Sequence, residues 1–282
     1  MGPAGRVTPV RRCALILGLL AALPQQGQAA DEVLVYAAPE RAIEAVEARQ
    51  GVASDGRYIY AVDNSTIGKY AIATGTRVAG FAGDAEKFPH LNSCTLARDE
   101  LVCASSNYPA LPFRNTVEFF DPQTMEHVRS ADFPAEPGSL TVLDWHDGRW
   151  WAFFANYDGK GGAPGKDHRH TVFARLNPDF SVAEQWTLPD SVLKRLAPSS
   201  ISGASWNGDG LLYASGHDKP ELYILALPES GTVLRHVGTI AVASYGQAVD
   251  FDPAEQRLLW SIDRKKRVAF ATRLPAAGEA RR

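Results

Sequence analysis

The sequence predicts an all-β fold, a five-bladed β-propeller closed by its N-terminal strand, and three observations predict it. One turn-and-strand token recurs five times, its copies stand roughly 45 to 60 residues apart, and almost nothing between them reads as helix. The token is a turn of Asp, Gly or Asn followed by a short apolar strand that ends on a polar residue. Its copies start at Asp55-Gly56, Asp99-Glu100, Asp147-Gly148, Asp209-Gly210 and Gln256-Arg257, and end at Asp63, Ser105, Asn156, Ser215 and Asp263.

Each copy is preceded by one apolar strand and followed by two, as at residues 67–72 and 77–82, which gives the four strands of a blade. The later strands turn at Thr74-Gly75, Pro122-Gln123, Asn177-Pro178 and Glu229-Ser230-Gly231, all good turn formers. The fifth unit ends after its third strand, residues 267–273, while an unassigned strand, residues 32–36, precedes the first unit. That strand is therefore expected to complete the last blade and remove the open edge. Residues 40–50 and 190–196 interrupt the β pattern and read as excursions, the second as a helical turn. A six- or seven-bladed ring would need blades of about 40 residues or fewer, shorter than the token spacing.

Residues 31–282 read as one domain, because no linker, charge run or low-complexity tract divides them. Residues 1–30 carry the parts of a secretory signal: Arg6, Arg11 and Arg12, an apolar run over residues 13–23, then small residues at Gly27, Ala29 and Ala30. The run is too short to span a bilayer and no other stretch is long enough, so the expectation is cleavage near Ala29 or Ala30 and a periplasmic or secreted domain without a membrane span. The Arg11-Arg12 pair leaves a twin-arginine route open beside the general one. Without the three leader arginines, 26 Lys and Arg face 32 Asp and Glu, a net of about −6 with His neutral. That balance disfavours nucleic acid and anionic membrane as partners.

An oxidising compartment bears on the two remaining cysteines. Cys94 and Cys103 flank a turn at Arg98-Asp99, so alternation places them opposite each other as a non-hydrogen-bonded pair, where side chains come closest. A disulfide is the expectation, two buried free thiols the alternative.

Blade topology sorts the loops onto two faces. Short turns such as Asp55-Gly56 fall on one. The other receives the loops leading into each first strand, with His90, Asn92 and Gln247, and the longer loops between second and third strands, with Asn107, Asn156, Asp158, Lys160, His168, Arg169, His217 and Asp218. Convergent loops on a rigid scaffold are where ligands bind. His90, Asp158, His168 and His217 are the candidate acid–base or metal residues. Asn92, Asn107, Asn156, Asp218 and Gln247 are candidate hydrogen-bonding groups, and Lys160 and Arg169 candidate anion partners on a lid formed by residues 156–170. A divalent metal could draw on His168, His170, Asp158 and either His217 or His90, although no closely spaced zinc signature occurs. The Gly- and Lys-rich part of the lid fails as a phosphate loop: a G-x-x-x-x-G-K-[ST] match would need Gly at Lys160 and Ser or Thr at Asp167. No G-x-S-x-G elbow is present.

The strings NYDGKGGAPGKDHRH, HLNSCTLARDELVCASSNYP, GHDKPELYIL and LWSIDRKKR resemble those of secreted bacterial propellers of cycloisomerase-like label, over nearly the whole mature chain. More remotely, size and blade count are similar to those of the five-bladed glutamine cyclotransferases of bacteria and plants, none of whose motifs carries over residue by residue. The resemblance implies a small-molecule ligand in the axial funnel and a cyclising or ring-opening step on a small polar substrate. A different class of function uses the same face without catalysis, as a protein- or glycan-binding surface anchored by Tyr108, Phe113 and Tyr157. The two differ in shape: an enzyme needs polar groups converging in a concave funnel, an interaction face needs exposed aromatics.

Overall fold

The computed structural model describes residues 1–2, 34–133 and 137–280. The expected leader therefore lies outside the described residues, apart from its first two positions.

Five antiparallel sheets of the predicted kind are present. The first blade is Gly51–Ser54, Tyr58–Val62, Thr66–Ala71 and Arg77–Ala82, and the second Leu91–Ala97, Glu100–Ser106, Asn115–Phe120 and His127–Asp132. The third is Ser139–His146, Arg149–Ala155, Val172–Leu176 and Val182–Thr187. The fourth is Gly203–Trp206, Leu212–Ser215, Glu221–Ala226 and Arg235–Ala241. The fifth contributes Asp250–Phe251, Leu258–Asp263 and Val268–Arg273 and takes its outer strand, Pro39–Glu44, from the N-terminal side of the chain.

Closure by an N-terminal strand thus holds, but the closing segment differs from the one expected. Pro39–Glu44 pairs antiparallel with Val268–Arg273, whereas Val35–Tyr36 adds a short parallel strand to the outer edge of the fourth blade. The reason is visible in the burial. An outermost strand faces solvent, and of Pro39–Glu44 only Ile43 is buried, so the segment lacks the apolar alternation that marks a strand. Its other contacts are ionic: Arg273 bridges Glu40 and Glu255, and Arg41 pairs with Glu255.

Blades are held to one another by apolar layers. One core cluster fills each of the five blade-to-blade spaces, with Trp260 and Ile59 between the fifth and first blades, Phe120 and Leu101 between the first and second, and Phe154 and Ala104 between the second and third. Phe153 and Tyr223 lie between the third and fourth blades, and Leu222 and Leu259 between the fourth and fifth. The helix Asp190–Leu196 adds Val192, Leu193 and Leu196 to the layer between the third and fourth blades.

Inner strands are also stapled by polar groups. Asn92 donates from Nδ2 to the Leu140 carbonyl at 2.9 Å, Leu143 N–H donates to Ser93 Oγ at 2.9 Å, and Trp206 N–H donates to Asp144 Oδ2 at 2.9 Å. Asp250 accepts from Ser54 N–H at 3.0 Å and from the Ser205 hydroxyl at 3.2 Å. Asp144 and Asp250 line a cavity of about 560 Å³ at the turn-bearing end of the ring. Burial holds both carboxyls above the ordinary carboxylate range, and the Asp144 charge raises Asp250 further.

The hairpin at Arg98-Asp99 has φ values of 52° and 65°, the primed turn whose twist matches its strands. Cys94 and Cys103 are cross-strand partners with Cα atoms 4.0 Å apart, and they form the disulfide. A loop this short gives about 2–3 kcal/mol in the chain-entropy picture.

Truncation separates the two N-terminal strands. A chain starting at Ala38 loses the parallel strand on the fourth blade and the small buried side chain of Ala37, and should melt within a few degrees of the full domain. A chain starting at Ala45 bares the edge of the fifth blade and should fail to fold cooperatively in thermal melts followed by circular dichroism. Equal melting of the two would show that Pro39–Glu44 does not close the ring.

Candidate functional site

At the loop-bearing end of the ring the axis opens into a small cavity of about 120 Å³. Every blade reaches it. The second supplies His90, Asn92 and Tyr108, the third Thr141 and Tyr157, and the fourth Ser202 and His217. Gln247 and Arg264 come from the fifth, and Gln50 from the turn leading into the first. No carboxylate is among these residues.

His217 lies between two charged neighbours. Its Nδ1 is 2.6 Å from Asp218 Oδ1 and its Nε2 is 2.9 Å from Arg264 Nη1. A guanidinium can only donate, so Nε2 accepts and the proton sits on Nδ1, directed at Asp218. This is a base whose orientation is fixed by a carboxylate, the arrangement used to place an imidazole for proton transfer. His90 differs. Its Nδ1 meets Asn64 Oδ1 at 2.9 Å, an oxygen that also accepts from Gln50 Nε2 at 2.7 Å, so the amide sets the tautomer again. Burial, with Arg49 nearby, lowers the His90 pKa from 6.5 to about 4. It is a neutral acceptor near pH 7, too weak a base for efficient proton abstraction there.

Three further groups complete the wall. Thr141 is 3% exposed and its hydroxyl has no hydrogen-bond partner. Gln247 is buried with φ 71°, a left-handed conformation that non-glycine residues seldom adopt and that collects at functional sites. The Tyr157 ring approaches Tyr108, whose ring in turn approaches His90, with centroids 5.2 and 5.4 Å apart. Burial pushes the Tyr157 hydroxyl pKa up, so it remains a donor.

The loop of residues 156–170 reaches the funnel through Tyr157 alone. Gly161, at φ 81°, seats it: a Cβ there would run into the Tyr108 ring. The loop glycines thus serve close packing. Asp158 and His168 pair with each other, His168 Nδ1 lying 2.7 Å from Asp158 Oδ1, and neither lines the cavity. The His168 hydrogen bond holds the Asp158 carboxyl below its ordinary range.

The other predicted polar residues take structural work. Asn107 donates to the Pro112 carbonyl and accepts from Arg114 N–H, folding its own loop. Asn156, fully buried, donates to the carbonyls of Pro137 and His170. Arg169 is paired with Asp167, and Lys160 is exposed. Asp218 acts through His217.

A cation could be held outside the funnel. Asp158, Asp167 and His168 each offer a ligand atom within 4.8 Å of the others. His170 turns its Nδ1 toward Asp167, and His90 and His217 belong to the axial cavity. The ligand set combining all of these histidines is therefore not assembled. Asp167 is also engaged by Arg169, which a metal would have to displace.

Gln50, Thr141, Ser202 and Arg264 were not singled out as site residues. Arg264 stands in the loop of residues 263–266, which topology places on the loop-bearing face but in which three basic residues in a row give none prominence, and Thr141 lies inside a strand. Counting which residues open each inner strand would have found Gln50 and Ser202.

The chain matches no known protein family and no curated protein. Among solved structures it is similar to glutaminyl cyclase from Myxococcus xanthus, with a TM-score of 0.56 and 10% identity over 86% of this chain and 98% of that one. This likeness shows the fold. The β-propeller domain of Cps50 (Swd1) from Myceliophteria thermophila aligns with a TM-score of 0.41 and 10% identity over 79% of this chain and 82% of that one.

The depressed His90 pKa has a stability consequence. Between pH 6.5 and about 4 the unfolded chain binds the proton and the folded chain does not, so stability is full above pH 6.5 and is lost as pH falls toward 4. The melting temperature of wild type minus that of His90→Gln should therefore shrink on acidification from about pH 7 to about pH 4. A difference independent of pH would mean that His90 is not held neutral by its surroundings.

Proposed function

We propose that this chain is exported by its N-terminal leader and acts on a small polar molecule bound in the axial funnel, with His217 as the proton-transfer group. The observation that carries this reading is convergence: polar side chains from all five blades meet in one concave cavity, and one of them is an imidazole oriented by a carboxylate. Asp218 orients His217, and Arg264 occupies Nε2 until a ligand engages the guanidinium. Gln50, Gln247 and Tyr157 offer hydrogen bonds that fix the ligand's orientation, while the Asn92 amide nitrogen is spent on the Leu140 carbonyl and the Ser106 hydroxyl. A cyclising or ring-opening step is the reaction class that the resemblance alone implies, and His217 would move the proton such a step requires. The fold neighbour from Myxococcus xanthus is by name a cyclase.

The shape of the face disfavours the interaction surface. Phe113 is 7% exposed, while Tyr108 and Tyr157 turn into the funnel wall, so the aromatics that would anchor a partner are not presented to one. The Asp158–Asp167–His168 group stands apart from the funnel lining, and no step is routed through it.

A thermal-shift screen of the mature domain against small carboxylates, amides and sugars tests this reading. A stabilising compound should lose its effect in His217→Ala, while the unliganded melting temperature stays within a few degrees of wild type, as expected for a surface-loop residue. Stabilisation that survives in this variant would remove the funnel from the function.

A further inference from the structure

We propose that the funnel selects a small monocarboxylate, its carboxylate group held between the Arg264 guanidinium and the Thr141 hydroxyl. This rests on the funnel being the ligand site and adds the class of ligand.

The charge of the lining comes first. Arg264 is the one permanently charged side chain on the cavity wall, and no Asp or Glu lines it. Among the described residues Arg264 makes no ion pair: its polar contact is the lone pair of the His217 imidazole. Asp218 lies on the far side of that ring, bound to Nδ1. A guanidinium satisfied by a neutral acceptor retains most of its donors and nearly all its charge, and its planar fork matches a carboxylate. A cationic ligand would meet the same guanidinium, with the Asp218 carboxylate set back behind the His217 ring.

Thr141 supplies the second, independent observation. Burying a hydroxyl without a partner costs about 1–3 kcal/mol, so such groups are uncommon unless something binds them. This one belongs to an inner-strand residue that is 3% exposed and lines the cavity; the oxygen itself is covered, so a ligand reaches it through a turn about χ1. A carboxylate oxygen accepts from it without needing a proton. His90, held neutral, adds no competing charge.

Volume limits the rest of the molecule. About 120 Å³ exceeds the ~10–15 Å³ that one water requires and falls short of the ~300–1,000 Å³ of drug-sized pockets. The occupant is therefore a carboxylate with a few further heavy atoms, of the size of a two- to four-carbon hydroxy or oxo acid.

Calorimetric titration of the mature protein with glycolate, its neutral isostere glycolamide, and ethanolamine tests the assignment. Glycolate should bind at least tenfold more tightly than glycolamide, and ethanolamine should not bind. Arg264→Gln should bring glycolate down to the level of glycolamide. Thr141→Val should weaken glycolate about tenfold while leaving the unliganded melting temperature equal or higher, because it removes an unsatisfied buried hydroxyl. A merely structural threonine would not combine a stabler protein with a weaker complex. If glycolamide binds as well as glycolate, or Arg264→Gln weakens both equally, the carboxylate assignment is overturned; continued sensitivity to Thr141→Val would keep the funnel as the site. Tighter binding of ethanolamine, or no binding of any of the three, also overturns the carboxylate class. Binding indifferent to both substitutions overturns the class and the funnel together.

Discussion

The pairing of Pro39–Glu44 with Val268–Arg273 is the constraint on which the rest of this molecule depends. Blades of a propeller bury both faces against their neighbours, so each apolar layer exists only if the next blade is in place. Trp260 and Ile59, both with no exposed surface, pack between the last and the first blade. Without the closing strand the fifth blade would present an open edge, and this layer would lose the support that holds the two ends of the chain together.

The funnel inherits that dependence. Its wall draws one or more side chains from each blade, and none of these elements forms a pocket alone. Polar residues near the axis consequently divide into two kinds. Asn92, Asp144 and Asp250 donate to or accept from the neighbouring blade and fix how closely the inner strands approach. Arg264 and Thr141 have bonding capacity left over. Arg264 spends one donor on the His217 imidazole, which is itself satisfied on both nitrogens, and the Thr141 hydroxyl has no partner. Unspent hydrogen-bonding capacity beside a permanent charge is the ground on which the axial funnel, rather than the scaffold around it, is proposed as the ligand site. In the larger cavity around Asp144 and Asp250 the carboxylates are consumed by stapling, and the unpartnered buried polar atom among its described lining residues is the Trp206 indole N–H, a neutral donor.

Much of the fold was legible because inner and middle strands carry a strong signal. Residues such as Tyr60, Phe153 and Tyr213 are buried on every side, and the turns before them use chemistry that few other conformations accept. The cysteine pair was legible because hairpin register follows directly from a two-residue turn. The closing strand was not, since one buried residue in six leaves no period to read. In the site, His90, Asn92, His217 and Gln247 could be placed from topology, as they adjoin the ends of inner and second strands. Asp158 and His168 could not, because the path of a long loop is decided by contacts such as Gly161 on Tyr108 that no local pattern encodes. Arg264 and Thr141 were hidden for a third reason. What marks them is a partner that is neutral or absent, and only coordinates show that.

The central claim is that one small ligand touches all the blades at once through the axial funnel. Hydrogen–deuterium exchange of the mature domain, measured with and without saturating glycolate, tests it most directly. The account predicts simultaneous slowing in the peptides that contain Gln50, His90 and Asn92, Tyr108, Tyr157, Ser202, His217, and Gln247 with Arg264, and no change in peptides around Asp144 and Asp250 beyond global stabilisation. Protection confined to one blade, or centred on the Asp144 and Asp250 end, would contradict it.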